Sequence, residues 1–194
     1  MYILRLFASL LMIAVITGCS HSIQISPELS AIRGNNTNKS NTPVGYYISK
    51  VDMATEVKTP GGGGDDVTYF PYKDTEAAIK TILSQKFKKV YALKSKNNDP
   101  VIKDKNIGLI FFPKIKTDSS SSSLLTWPPT DFTVELSCKA NTRNGKTIWK
   151  KTVTGKGHAE FSEFKSDFSL SAKRASEEAF RLMRDEIFSA KTFK

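Results

Sequence analysis

The chain of 194 residues contains only two cysteines and two histidines. Cys19 lies far from Cys138 and His21 far from His158, so no spacing matches a zinc or iron–sulfur ligand set. No metal site and no cofactor is expected, and two such distant cysteines give no disulfide framework. Catalysis needs a positioned set of titratable groups. Only His158, with Glu160 two residues on, offers a start, as a base and its orienter on one strand face. No nucleophile motif accompanies them, and an exposed histidine on a sheet is the plainer reading. No catalytic residue is assigned, and the chain is not expected to be an enzyme. A phosphate-cradling loop is missing too. Gly61–Gly64 lacks a Gly-Lys-Ser/Thr ending and a strand–loop–helix setting, so it reads as a flexible loop. Acidic residues are in deficit, 19 against 29 basic, for a net charge of +10.

Long apolar runs are also scarce, and the one that exists is N-terminal. After Arg5 there is no charge from Leu6 to Gly18, the pattern of an export signal. It falls short of the about 20 apolar residues a membrane span needs. Ile16-Thr17-Gly18-Cys19 closely resembles the bacterial lipobox: an aliphatic residue, two small residues and a cysteine. That resemblance implies a diacylglyceryl group on the Cys19 thiol, removal of residues 1–18 as a signal peptide, and a mature chain held by several acyl chains, palmitate among them. Each buried methylene contributes about 0.8 kcal/mol, so such an anchor does not leave a membrane spontaneously. Ser20 follows the cysteine where aspartate would, by resemblance to enterobacterial sorting, retain the protein in the inner membrane. An outer-membrane position facing the periplasm is therefore expected. Losing residues 1–18 removes Arg5 and no acidic side chain, which leaves a net +9. This excess suits solubility and anionic surfaces, with lipopolysaccharide, anionic lipid or peptidoglycan as sharper possibilities. Export makes nucleic acid an unexpected partner. The run Lys86, Lys88, Lys89, Lys94, Lys96 reads as a solvated face.

Residues 19–42 read as a lipidated tether, since Arg33 to Thr42 has no apolar side chain and cannot support a core. Residues 43–194 read as one domain. Val44 to Val51 is a strand by composition. Asp74 is placed to cap a helix whose inward face is Ala78, Ile79, Ile82, Leu83 and Phe87. Strands follow at Lys88–Leu93 and Ile107–Ile115, and Asp118–Thr130 reads as a long loop. Phe132, Val134, Leu136 and Cys138 alternate strictly with polar residues, the pattern of a half-buried strand with Cys138 as an unpaired core thiol. Asn144-Gly145 is the favoured pair for a type I′ turn into a returning strand over Thr147–Phe161. A last helix over Ser171–Ala190 carries an inward stripe of Ala172, Ala175, Ala179, Leu182, Met183, Ile187 and Ala190. This order predicts an α+β fold: a mainly antiparallel β-sheet with two amphipathic helices packed on one face.

One loop carries a candidate contact. Five serines, Ser119–Ser123, precede Leu124-Leu125-Thr126-Trp127, and Pro128-Pro129 follow. Leu124, Leu125 and Trp127 either fold back on the body or form an exposed apolar cluster for a partner or a lipid surface.

Several of these pieces together resemble the YajG family of small outer-membrane lipoproteins. They are the lipobox cysteine with Ile23-Gln24-Ile25-Ser26-Pro27 behind it, the helix from Asp74, Phe132-Thr133-Val134-Glu135-Leu136, the hairpin at Asn144-Gly145-Lys146, Trp149, Gly155, and the alanine-rich helix from Ser171. The resemblance implies a small α+β fold also found in the amino-terminal domain of TolB-like proteins, and it brings no catalytic residues. The Gly61–Gly64 loop and the serine run depart from the pattern. The expected function is a non-catalytic binding or scaffold module in the periplasm, engaging an envelope protein or a glycan such as peptidoglycan. An accessory subunit of a multiprotein envelope machine, for secretion or transport, is the alternative.

Overall fold

A computed structural model describes residues 19–35, 38–122, 128–163 and 166–193. Its long strands are β6 (Leu109–Ser120), β7 (Asp131–Thr142) and β8 (Thr147–His158), an antiparallel meander with β7 central. Strict alternation in β7 buries Phe132, Val134, Leu136, Cys138 and Ala140 on one face. β6 runs past Ile115 into the serines, because every residue from Leu109 to Ser120 pairs with β7. Ser119 is buried there, with its Oγ 2.7 Å from Thr59 Oγ1. The β7–β8 turn is not type I′. Only Gly145 lies in the left-handed region (φ 83°), while Asn144 does not. Gly145 N–H donates to Thr142 O and Thr142 N–H to Lys146 O, both at 2.9 Å, so a type I turn closes through a glycine bulge.

The other two strands of this sheet are short, β2 (Val44–Tyr47) and β5 (Val90–Leu93), giving the order β5-β2-β6-β7-β8. β2 runs parallel to both its neighbours. Parallel neighbours need crossover connections, and helices supply them: α2 (Pro71–Lys86) between β2 and β5, and α3 (Pro100–Asp104) between β5 and β6. The fold is α+β as expected, with antiparallel pairing on the long strands and parallel pairing on the short side. Val51 is not in β2. Ser49 Oγ accepts from Asp52 N–H (3.0 Å) and starts α1 (Lys50–Ala54) instead.

α2 and α4 (Leu170–Ser189) lie on one face of this sheet, and their apolar sides share one core with Val44, Phe111, Val134, Leu136 and Trp149. In α4 the inward stripe includes Phe180, while Leu182 is 37% exposed. α4 rides so close to β8 that a Cβ on Gly155 would strike Ala175 O and Ala179 N. One on Gly157 would strike Ser171 O and Ala175 N. α2 begins before Asp74, with Pro71 in its first turn.

A second, three-stranded sheet has the order β1 (Ser20–Ser22), β4 (Asp66–Tyr69), β3 (Val57–Pro60). It corrects the expectation of a tether over residues 19–42. Ile23, Ile25 and Ile32 are buried in the main core. Asp74 Oδ2 accepts from Ile25 N–H (3.3 Å), and Arg184 donates to Arg33 O (2.8 Å). Three isoleucines spread over ten residues suffice to hold this segment on α2 and α4, because each buried aliphatic side chain contributes about 1.5–3 kcal/mol.

Cys138 is buried, and desolvation pushes its thiol up to about 12. Thiol modification of the native protein is expected to wait for unfolding and to run slower than in denaturant by a factor on the order of 10³ or more. Equal rates in a stopped-flow disulfide-exchange assay would contradict the burial.

Candidate functional site

The face of the main sheet opposite the long helices carries a smaller core of Leu93, Ile102, Ile107 and Ile110, packed against Tyr47, Tyr91 and Phe112. α3 covers part of it. Asp99 fixes this corner: its carboxylate accepts from the N–H groups of Lys94, Ser95 (3.2 Å) and Val101 (3.0 Å). Those amides, Lys94 first, hold Asp99 below the usual carboxylate range. The turn Lys96–Asn98 is thereby set against the sheet.

Beside this corner lies an open groove of about 900 Å³. Its floor is Ile110 and Phe112 of β6 with Ile102 of α3. One wall is the turn before α3, and the other is Lys139 and Asn141 of β7 with the Thr142–Gly145 turn. Lys139 and Lys96 set their ammonium groups 5.4 and 6.0 Å from the Phe112 ring centre. Lys103 and Arg143 complete a set of four cations, and Asp99 is the only acidic residue in the lining. Among the described residues none of the four cations is ion-paired; the salt bridges lie elsewhere. The arrangement concentrates positive charge at one end of the sheet. Sequence reasoning missed it by treating Lys96 as a solvated face. The signal available was β-strand alternation, which puts Lys139 on the face opposite Cys138, directly across from Phe112 in the register.

The other sequence-derived residues lie elsewhere. Cys19 is exposed beside β4: its N–H donates to Asp65 Oδ1 (2.9 Å), and its carbonyl accepts from Asp66 N–H (3.1 Å). His21 Nε2 meets Asp65 Oδ2 at 3.0 Å. Leu124, Leu125 and Trp127 lie outside the described residues, as does the segment 1–18. The Cys19 end and the groove are at opposite ends of the meander. Pro60 pairs with Asp66, and Pro60 O accepts from Ser119 Oγ near the far end of β6. Phe112 is seven residues away along that strand, about 23 Å at an extended rise.

His158 and Glu160 do share a face, with Asp131 added: Nδ1 meets Asp131 Oδ1 at 2.8 Å and Nε2 meets Glu160 Oε1 at 3.1 Å. Asp131, then Glu160, raise the imidazole above its usual value. Its contribution to stability is therefore full below the unfolded value and is lost as pH rises through the folded one. Next to it Arg174 holds both oxygens of Glu163 (2.7 and 3.0 Å) and donates to His158 O (2.8 Å), tying the end of β8 to α4. Arg174 and the Glu160 amide bring Glu163 from 4.5 down to about 2. That stabilisation is full above the unfolded value and disappears as pH falls toward 2. Glu163→Gln is expected to lower the urea midpoint near neutral pH and to match the parent near pH 2; a gap that widens on acidification would contradict it. Among the described residues no group of three or more His, Cys, Asp or Glu side chains could hold a metal ion, and no helix is long and apolar enough to cross a membrane.

No family model matches the chain, so the likeness to the YajG family stays one of pattern. No curated protein matches either. Among solved structures, a Xanthomonas campestris protein of family DUF330 aligns at 13% identity over 88% of this chain and 92% of its own, with a TM-score of 0.48. The PelC dodecamer subunit of Paraburkholderia phytofirmans aligns at 11% identity over 76% and 93%, with a TM-score of 0.43. A candidate lipoprotein of Caulobacter crescentus aligns at 9% identity over 57% and 75%, with a TM-score of 0.33. At these scores the likenesses carry no argument about what this chain binds or assembles with.

Proposed function

We propose that this protein is a non-catalytic bacterial lipoprotein, anchored in the outer membrane by acyl chains on Cys19, that acts as a periplasmic binding module. The observation that carries the reading is the placement of Cys19 relative to the groove. The backbone of the cysteine is bonded on both sides, to the Asp65 side chain and to Asp66 at the start of β4, so an acyl group on it holds the body close to the bilayer. The basic groove sits at the opposite end of the body, where its cations face the periplasm. A scaffold that must display a binding surface at a fixed height benefits from this short attachment.

Cys19→Ser tests the anchor. The thiol is the only atom that can accept the diacylglyceryl group, so the variant is expected to lose palmitate labelling and to leave the membrane fraction or remain uncleaved. The substitution changes one exposed atom, so the folded body is expected to keep its melting temperature. Normal labelling and membrane recovery of the variant would overturn the proposal.

A further inference from the structure

We infer that the groove between α3 and the β7–β8 turn binds an acidic oligosaccharide, a run of sugar rings carrying carboxylates. This rests on the reading above only in supplying a periplasm-facing end for the ligand to approach.

Charge is the first argument. Lys96 and Lys139 both reach the Phe112 ring, with Lys103 and Arg143 in the same lining. One carboxylate, Asp99, held ionised by three backbone amides, faces four cations, so positive charge in the groove is only partly offset. An anion seated over Phe112 offsets the rest.

The remaining lining shows what kind of anion. Lysine and arginine only donate hydrogen bonds, which suits carboxylate oxygens. Asn97, Asn98 and Asn144 each offer a donor and an acceptor, which suits hydroxyl groups that do both. Phe112 gives a flat apolar surface for the C–H side of a sugar ring. A simple inorganic anion needs neither the amides nor the ring.

Shape and position decide between the larger candidates. The volume of about 900 Å³ falls among small-ligand sites. A stable protein interface buries roughly 800 Å² per partner around an apolar centre, whereas this lining holds a single, half-buried aromatic ring, Phe112. The groove lies at the end of the meander away from Cys19, out of reach of the headgroups that surround the anchor. Its ligand therefore comes from the periplasm.

The test is binding to the intact purified protein in nonionic detergent, by calorimetry at low and moderate salt. The probes are a galacturonic acid hexamer, a neutral galactose hexamer, a hexaglutamate peptide and inorganic phosphate. The uronate hexamer is expected to bind at least about tenfold tighter than each of the other three, and to weaken as salt rises. Lys96→Gln with Lys139→Gln is expected to weaken it by about tenfold or more at an unchanged melting temperature. Phe112→Leu, which keeps an apolar floor, is expected to weaken the uronate hexamer and leave hexaglutamate unaffected. Hexaglutamate binding as tightly as the uronate would overturn the inference in favour of an acidic protein segment. Equal binding of the neutral hexamer, or indifference to the double lysine change, would overturn it outright. A membrane-anchored protein that ignores the uronate sinks the groove alone. A uronate binder that is never lipidated sinks the anchor alone.

Discussion

Gly155→Val is expected to cost more than about 4 kcal/mol, a large share of the stability of a domain this size. The reason is the contact between α4 and β8. A Cβ at residue 155 meets the carbonyl oxygen of Ala175 and the amide of Ala179, both main-chain atoms of a helix. A side chain can rotate away from such a collision. A helix backbone cannot, so α4 must lift off the sheet and expose the core that Ala172, Ala175, Ala179, Phe180, Met183 and Ile187 bury. Gly157 stands in the same position one turn of the helix earlier, against Ser171 and Ala175. Gly145→Ala is the comparison: its φ is 83° and nothing lies within 4 Å of its Cβ position. Backbone strain alone, about 1–2 kcal/mol, is expected there. Urea unfolding of the two variants separates collision from strain. Equal midpoints would mean that α4 does not press on β8.

Phe193→Ala is expected to cost about 3–5 kcal/mol, although the residue is the second from the end of the sequence. A turn of 3₁₀ helix over Lys191–Phe193 carries the ring back into the core. There it lies 5.3 Å from Trp149, 5.4 Å from Phe111 and 5.7 Å from Phe87, each in tilted or edge-on geometry. Removing it leaves a cavity among three aromatic rings that the rigid sheet cannot close. Phe161 is 64% exposed, and Phe161→Ala is expected to change stability by less than about 0.5 kcal/mol. A Phe193→Ala variant as stable as Phe161→Ala would show that the end of the chain is not part of the core.

These two sites mark where sequence reasoning stops. The alternation Phe132 to Cys138 and the helical spacing in α2 and α4 are directly legible, because each is a periodic apolar signal within one element. Gly155 and Gly157 sit in a strand without a local reason, and only the crossing helix explains them. The helix stripe over Ser171–Ala190 is legible too, but periodicity alone draws Leu182 inward and omits Phe180. The angular step between neighbouring residues is too coarse to choose between them without the sheet. Ile23, Ile25 and Ile32 are too sparse to outweigh the polar run after Arg33, so the segment reads as a tether. The short helices after Ser49 and Asp99 have cap residues but too few turns to show a period. The groove is the least legible part. Lys96, Phe112 and Lys139 lie on three separate segments, and it takes both the pairing of Phe112 with Lys139 and the turn held by Asp99 to bring their side chains to one place.

Orientation on the membrane is the claim that joins the anchor to the groove, and a pair of labels measures it. Cys138 is buried and Cys19 is proposed to be acylated, so one introduced cysteine is the reactive thiol in each variant. Ser120→Cys places a fluorescent donor at the β6 end next to Ser119, and Asn144→Cys places it at the tip beside the groove; both positions are exposed. The strands between these ends span about 35 Å at an extended rise. With the lipidated protein in vesicles carrying a headgroup acceptor, energy transfer is expected to be strong from residue 120 and weak from residue 144. Equal transfer from the two, or stronger transfer from residue 144, would contradict a body held close to the bilayer at Cys19 with its basic groove turned away.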